Sequence, residues 1–185
     1  MDKNYANKVA ELKSKIKSFP DFPKKGIIFW DIFSAISNGS ACKLLQDLLV
    51  ETVRTKCPDV EAIVGLESRG FLFAFSLATE LGIGCLPVRK KGKLPGVVSS
   101  YKYDLEYGSD ILEIQKDSVH PGLKCLIIDD LIATGGTIVA ATELLRSCGA
   151  DVLGCVVVME IESLNGRKNI PIPVLQSQSV RLFDT

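Results

Sequence analysis

Asp129 and Asp130, followed shortly by Ala133-Thr134-Gly135-Gly136-Thr137, combine two carboxylates with a loop of small residues and two hydroxyls. Small side chains let a phosphate approach closely enough to be held by backbone N–H groups, and the threonine hydroxyls add donors. The acids have a different use: they accept hydrogen bonds from sugar hydroxyls, or hold water on a divalent cation. Taken singly, an acid pair is as readily a solvated strand end, and Gly-Gly a turn. The whole run reads as a site for a phosphorylated sugar, since a dianionic phosphate fits there without any basic side chain.

Two further clusters bear charge. Glu67-Ser68-Arg69-Gly70 offers a hydroxyl, a guanidinium fork and backbone donors that could converge on a second anion, with a structural ion pair as the competing reading. Arg89, Lys90, Lys91 and Lys93 form the most basic patch, otherwise a solvated turn. A phosphate loop, an arginine turn and a basic patch suit a substrate with a monophosphate at one end and a diphosphate at the other. Glu106 is the candidate acid. In the open it is a surface carboxylate, but with water excluded it becomes a neutral acid able to protonate or hydrogen-bond a purine ring nitrogen. Phe29 and Trp30, within Ile27–Ile32, are either core or a platform for a base.

These groups need a scaffold, and the apolar pattern supplies one. Leu126-Ile127-Ile128 has the form of a strand buried on both faces, so the acids emerge where it ends. Ile138 to Leu145 then resume a helical pattern that Thr134 or Thr137 could cap. Ala62 to Leu66, the Glu67–Gly70 turn and a helix from about Phe71 to Leu81 repeat strand, loop, helix, and Cys85 to Val88 run as a short strand into the basic patch. Val152 to Val158 form another strand. Earlier, Val9, Leu12 and Ile16 mark an amphipathic helix ending before Phe19-Pro20-Asp21-Phe22-Pro23, and Ser40 would cap a helix bearing Leu44, Leu45, Leu48, Leu49 and Val53. Val97 to Asp110 reads as a long excursion or mobile hairpin before a strand at Ile111–Gln115, and Pro171 to Leu175 as a final edge strand. The prediction is an α/β fold: a central, mostly parallel sheet with helices on both faces and sites at the strands' carboxyl ends. Residues 1–33 would form a helix and a small N-terminal hood over the base site, and 34–185 the core, with a mobile loop at about 96–110.

Composition narrows the class. At 185 residues the chain suits one domain, and 22 basic against 22 acidic side chains leave no net charge to advertise nucleic acid or an anionic membrane. No apolar stretch reaches membrane-span length and Met1–Tyr5 lacks a signal-peptide core, so cytoplasmic residence is expected. The cysteines at 42, 57, 85, 125, 148 and 155 show no metal-ligand spacing and are expected to be reduced and mostly buried, with His120 in a turn.

Asp129 to Thr137 resembles the phosphoribosyl diphosphate (PRPP) motif of the type I phosphoribosyltransferase family. Phe19–Pro23, Gly26–Asp31, Glu67–Phe71, Arg89–Gly96 and Leu105–Gly108 are similar to segments of the adenine-specific branch, and Gly92-Lys93-Leu94-Pro95-Gly96 and Leu105-Glu106-Tyr107-Gly108 are its more specific marks. The resemblance implies conversion of adenine and PRPP into AMP and diphosphate. It implies the 5-phosphate on Ala133, Thr134, Gly135, Gly136 and Thr137, the ribose on Asp129 and Asp130, and the diphosphate on Ser68 and Arg69, with a cis peptide before Ser68. Arg89 and Lys93 would assist the diphosphate side, within one subunit or across a homodimer interface. Backbone atoms of Ile28 and Trp30 would read adenine, Phe29 and Leu131 would sandwich it, and Glu106, beside Tyr107 in the loop, would serve its N7. Mg²⁺ would be bound mainly by the diphosphate and water rather than directly by the protein. Trp30 departs from the arginine common there, and Ser99 to Asp104 also differs from the family's wording. Two other readings share the PRPP motif: a sister transferase for another purine, and a catalytically silent PRPP-sensing regulator.

Overall fold

The computed structural model describes residues 3–105, 108–175 and 180–182. Helix α1 (Lys3–Lys13) leads into β1 (Lys17–Pro20) and β2 (Ile28–Asp31), which pair antiparallel as a ribbon of their own. A cis Phe22–Pro23 bond lies in the turn between them. Asp31 then caps the short α2 (Ile32–Ile36) by accepting from Phe33 N at 3.0 Å.

The long α3 (Gly39–Lys56) starts at Asn38, whose side chain accepts from Ala41 N at 3.0 Å. The expected cap, Ser40, is already inside the helix. Asn38 wins because its extended backbone (φ −96°, ψ 118°) turns its amide oxygen onto the first free N–H groups. Next come β3 (Ala62–Leu66), α4 (Gly70–Leu81), β4 (Gly84–Lys90), β5 (Val98–Leu105), β6 (Gly108–Gln115), β7 (Lys124–Ile132), α5 (Gly136–Ser147), β8 (Asp151–Ile161) and β9 (Val180–Leu182).

Seven of these strands make one sheet in the order β5-β6-β4-β3-β7-β8-β9. From β4 through β9 the neighbours run parallel, and β6 pairs antiparallel with both β4 and β5. Strand β7 alternates between two cores. Leu126 and Ile128 face α1, α3 and α4, whereas Cys125 and Ile127 face α5. All four are fully buried, as an interior parallel strand requires. Each such side chain contributes roughly 1.5–3 kcal/mol on burial, so the strand that presents the acids is among the best-anchored in the chain.

Three expectations change and one pair of alternatives is decided. Strand β7 runs through Asp129 and Asp130 to Ile132, because β8 continues beside it with Leu131 opposite Met159 and Ile132 opposite Glu160. Of the two readings of 97–110, excursion or hairpin, the structure gives the hairpin: β5 and β6 pair in unbroken register from Val98↔Gln115 to Leu105↔Gly108. Its polar and tyrosine-rich side chains suit a sheet edge with one wet face, which is why the segment did not read as buried strand. The proline-rich 171–175 segment forms only a single bridge, Cys155↔Val174, and β9 takes the edge instead. Finally, Cys42 and Cys85 are exposed and Cys148 half-buried, so only three of the six cysteines are buried.

Candidate active site

Parallel register brings three strand ends to one edge. Gly65 lies opposite Ile128 and Leu66 opposite Val88, and Glu67 N donates to Val88 O at 3.0 Å. Glu67, just past β3, therefore sits side by side with Arg89 on β4 and Asp129 on β7. Gly70 permits the closeness: a methyl group on it would stand 2.7 Å from Ile128 O and 3.2 Å from Asp129 Oδ1. The Glu67–Ser68 peptide there is cis.

Beyond β7 the small-residue loop shapes an open cleft of about 90 Å³ lined by Asp129, Leu131 and residues 133–138. Neither Thr134 nor Thr137 caps α5. The N-cap is Gly135 in the left-handed region (φ +84°), with no side-chain acceptor. The first N–H groups of the helix are thus left for a ligand, where an anion also meets the positive end of the helix dipole.

The two acids are inequivalent. Asp130 is buried and accepts from Arg69 Nε, while Asp129 Oδ1 accepts from Asp130 N at 2.9 Å. Burial first, and then the Asp130 charge, push the Asp129 carboxyl well above the usual carboxylate range. In the ligand-free protein Asp129 holds its proton more tightly than an exposed aspartate, and Arg69 balances the charge of Asp130.

Arg89 and Lys93 meet on a residue that sequence reading placed no role on. Glu67 accepts from Arg89 Nε (3.3 Å), Arg89 Nη2 (3.2 Å), Lys93 Nζ (2.5 Å) and Lys90 N (3.0 Å). Burial works to raise its pKa, but these bonds and the Arg89 charge outweigh it and hold the carboxyl at about 2. The sequence marks Glu67 only as an acid one residue past β3; the β3–β4 register brings it beside Arg89. Lys90 turns instead to Asp110 at 2.9 Å on the hairpin.

Glu67→Gln keeps the shape and loses the charge, so it is expected to raise KM for a diphosphate-bearing substrate by about tenfold, the scale of one charge-assisted bond. A folded-state pKa below the ordinary 4.5 contributes stability that is complete above pH 4.5 and is lost as pH falls through about 2. Acid unfolding of Glu67→Gln, followed by circular dichroism, should therefore be shallower than wild type across that window.

Leu131 lines the cleft, but Ile28, Phe29 and Trp30 do not. They lie in the ribbon, where Phe29 meets Phe22 edge-on at 5.1 Å. Trp30 packs against the same apolar cluster as Leu131, and its Nε1 is buried with no acceptor among the described residues. Its side chain is thus directed to the core, leaving the backbone as its means of contact. Ser68 is exposed at the turn. Glu106 and Tyr107 lie outside the described residues.

The profile described as "Phosphoribosyl transferase domain" matches residues 36–182. The chain is 54% identical to the adenine phosphoribosyltransferase of Drosophila pseudoobscura pseudoobscura over 91% of its own length and 93% of that protein's. It is 49% identical to that of Rhodospirillum centenum, covering 88% and 94%. Among solved structures, the Saccharomyces cerevisiae adenine phosphoribosyltransferase bound to an imino-altritol bisphosphate and adenine superposes with a TM-score of 0.89 at 41% identity, over 95% of this chain and 99% of that one.

Proposed function

We propose that this chain, which belongs to the phosphoribosyl transferase family and within it to the adenine phosphoribosyltransferases, converts adenine and PRPP into AMP and diphosphate, a purine-salvage step. The observation that carries this reading is the uncapped start of α5 beside two acids, with the Arg89–Lys93–Glu67 cluster at the same sheet edge. Two places fit for anions on one sheet edge suit one ligand with a phosphate at each end.

In this reading Ala133 to Thr137 hold the 5-phosphate, and Asp129 and Asp130 accept from the ribose hydroxyls. Ser68, Arg69, Arg89 and Lys93 face the diphosphate. Glu67 occupies only part of the donor capacity of Arg89 and Lys93, so both retain N–H groups for the ligand. Ile28 and Trp30, two apart on β2, present their backbone groups to the same side, as reading one edge of a flat base requires. Phe29 and Leu131 supply the apolar faces. Glu106 serves the purine N7 as acid, with Tyr107 next to it in the sequence. As diphosphate leaves, the anomeric carbon becomes oxocarbenium-like; the cations stabilise the departing charge and closure over the site keeps water from hydrolysing PRPP.

Mg²⁺ fits as a substrate-borne ion. Among the described residues no three His, Cys, Asp or Glu side chains gather as a metal cage, and Asp130 is already engaged by Arg69. A hard cation would be held chiefly by diphosphate oxygens and water, with Asp129 and Asp130 accepting from that water, and supplies charge neutralisation to the diphosphate. A helix-and-hood unit at residues 1–33, a homodimer and cytoplasmic residence complete the proposal. No described helix is long and apolar enough to cross a membrane. Sedimentation equilibrium tests the dimer.

The decisive assay offers PRPP and Mg²⁺ with adenine, hypoxanthine, guanine or uracil. Adenine is expected to be turned over fastest. Equal or better use of another base would replace the specificity, and PRPP binding without turnover of any base would favour a regulator.

A further inference from the structure

Behind the phosphate loop lies a short 3-10 turn, Gly166–Asn169, to which no role has been given so far. Gly166 is buried against the loop. A methyl group on it would stand 2.1 Å from Ala133 O and 2.7 Å from Thr134 C, and one on Gly135 would stand 2.6 Å from Gly166 O. Asn169 Nδ2 donates to Thr134 O at 3.1 Å. The carbonyls of Ala133 and Thr134 therefore both face this turn.

A trans peptide carries its N–H opposite its C=O. The only cis bonds among the described residues are elsewhere, so the N–H groups of Thr134 and Gly135 point away from the turn. The cleft is on that side: residues 133–138 line it, and the turn does not. Neither amide donates to an acceptor among the described residues. The turn is itself anchored, since Arg167 grips Glu160 with Nε–Oε1 at 3.1 Å and Nη2–Oε2 at 2.6 Å. Glu160 lies opposite Ile132 in the β7–β8 register, and Ile132 immediately precedes the loop.

Resting on the phosphoribosyl reading, we propose that the Gly166–Asn169 turn is a positioning element of the 5-phosphate site, with Asn169 as its positioning residue. By holding two carbonyls outward it locks two N–H groups inward before the phosphate arrives. The ligand then meets donors already aimed at it and does not have to reorient the peptides on binding.

The test is calorimetric titration with ribose 5-phosphate, which needs no turnover, alongside steady-state kinetics. Asn169→Leu keeps the approximate shape without the donor, and Asn169→Gln keeps the donor. Asn169 is exposed, so both variants should fold with wild-type melting temperatures. Asn169→Leu is expected to bind ribose 5-phosphate about five- to tenfold more weakly, the range of one hydrogen bond, and to raise KM for PRPP equally. Its kcat and its KM for adenine at saturating PRPP should stay within about twofold, and Asn169→Gln should recover most of the affinity. Wild-type affinity in Asn169→Leu, or an equal loss in Asn169→Gln, would overturn the inference alone. A wild-type protein that binds no ribose 5-phosphate would overturn the phosphoribosyl reading with it.

Discussion

Gly135→Ala is expected to lower kcat/KM for PRPP about a hundredfold, the loss that accompanies misplacement of a binding group by about 1 Å. Two constraints act at this residue together. Its φ of +84° lies where a Cβ is disfavoured by about 1–2 kcal/mol, and that Cβ would stand 2.6 Å from Gly166 O and 3.2 Å from Ile170 Cγ1. Gly166 opens the packed turn behind the loop and Ile170, buried, directly follows it, so the loop must yield and its N–H groups move with it. Gly136→Ala is the internal comparison. Its added methyl meets only Thr134 Oγ1 at 3.9 Å, so it leaves the loop in place, and whatever it loses reports the approach of the phosphate itself. Initial rates against PRPP at saturating adenine decide the matter. A loss below about threefold in Gly135→Ala would mean that the loop is not where the phosphate binds.

Glu106→Gln should lower kcat by about a hundredfold or more, the usual contribution of a positioned general acid, while leaving ribose 5-phosphate binding unchanged. The expectation rests on the family role of the residue and on what flanks it. Hairpin β5–β6 is joined to the end of β4 and the turn after it, through Arg89 opposite Glu113, the Lys90–Asp110 ion pair at 2.9 Å, and Gly92 N donating to Glu113 at 2.8 Å. If Glu106 acts as the acid, wild-type kcat falls as pH rises through its pKa, and Glu106→Gln lacks that limb. Full turnover in the variant would remove the role altogether.

Much of this was legible because it is local. The buried runs Ala62–Leu66 and Leu126–Ile128, each followed by charge, small residues and a helical period, announce an α/β sheet with a site at its edge. Type and order of side chains suffice there, since a phosphate loop is built from consecutive residues and the backbone does the binding. The same locality explains the misreadings. Thr134 and Thr137 had the right chemistry to cap α5, but a left-handed Gly135 took the position, and Ser40 lost its helix start to Asn38. Both outcomes turn on backbone angles that residue type alone leaves open.

Long-range convergence was not legible. Glu67 is the meeting point of Arg89 and Lys93, and Arg69 belongs to Asp130, only because β4, β3 and β7 lie adjacent in one parallel register. Glu67 and Arg69, two residues apart, serve opposite sides of the edge. Asn169 and Gly166 reach the phosphate loop from a turn more than thirty positions later in the chain, with nothing in their spacing to mark them. From sequence alone came the chemistry on offer: a loop of small residues fit for a phosphate, paired acids, a basic patch and the aromatic pair Phe29 and Trp30. Folding chose the partners, which carboxylate keeps its proton, which cations share one acid and which carbonyls are held outward. Strand order and register set those distances, and charge and hydrogen-bond energies depend on distance before identity.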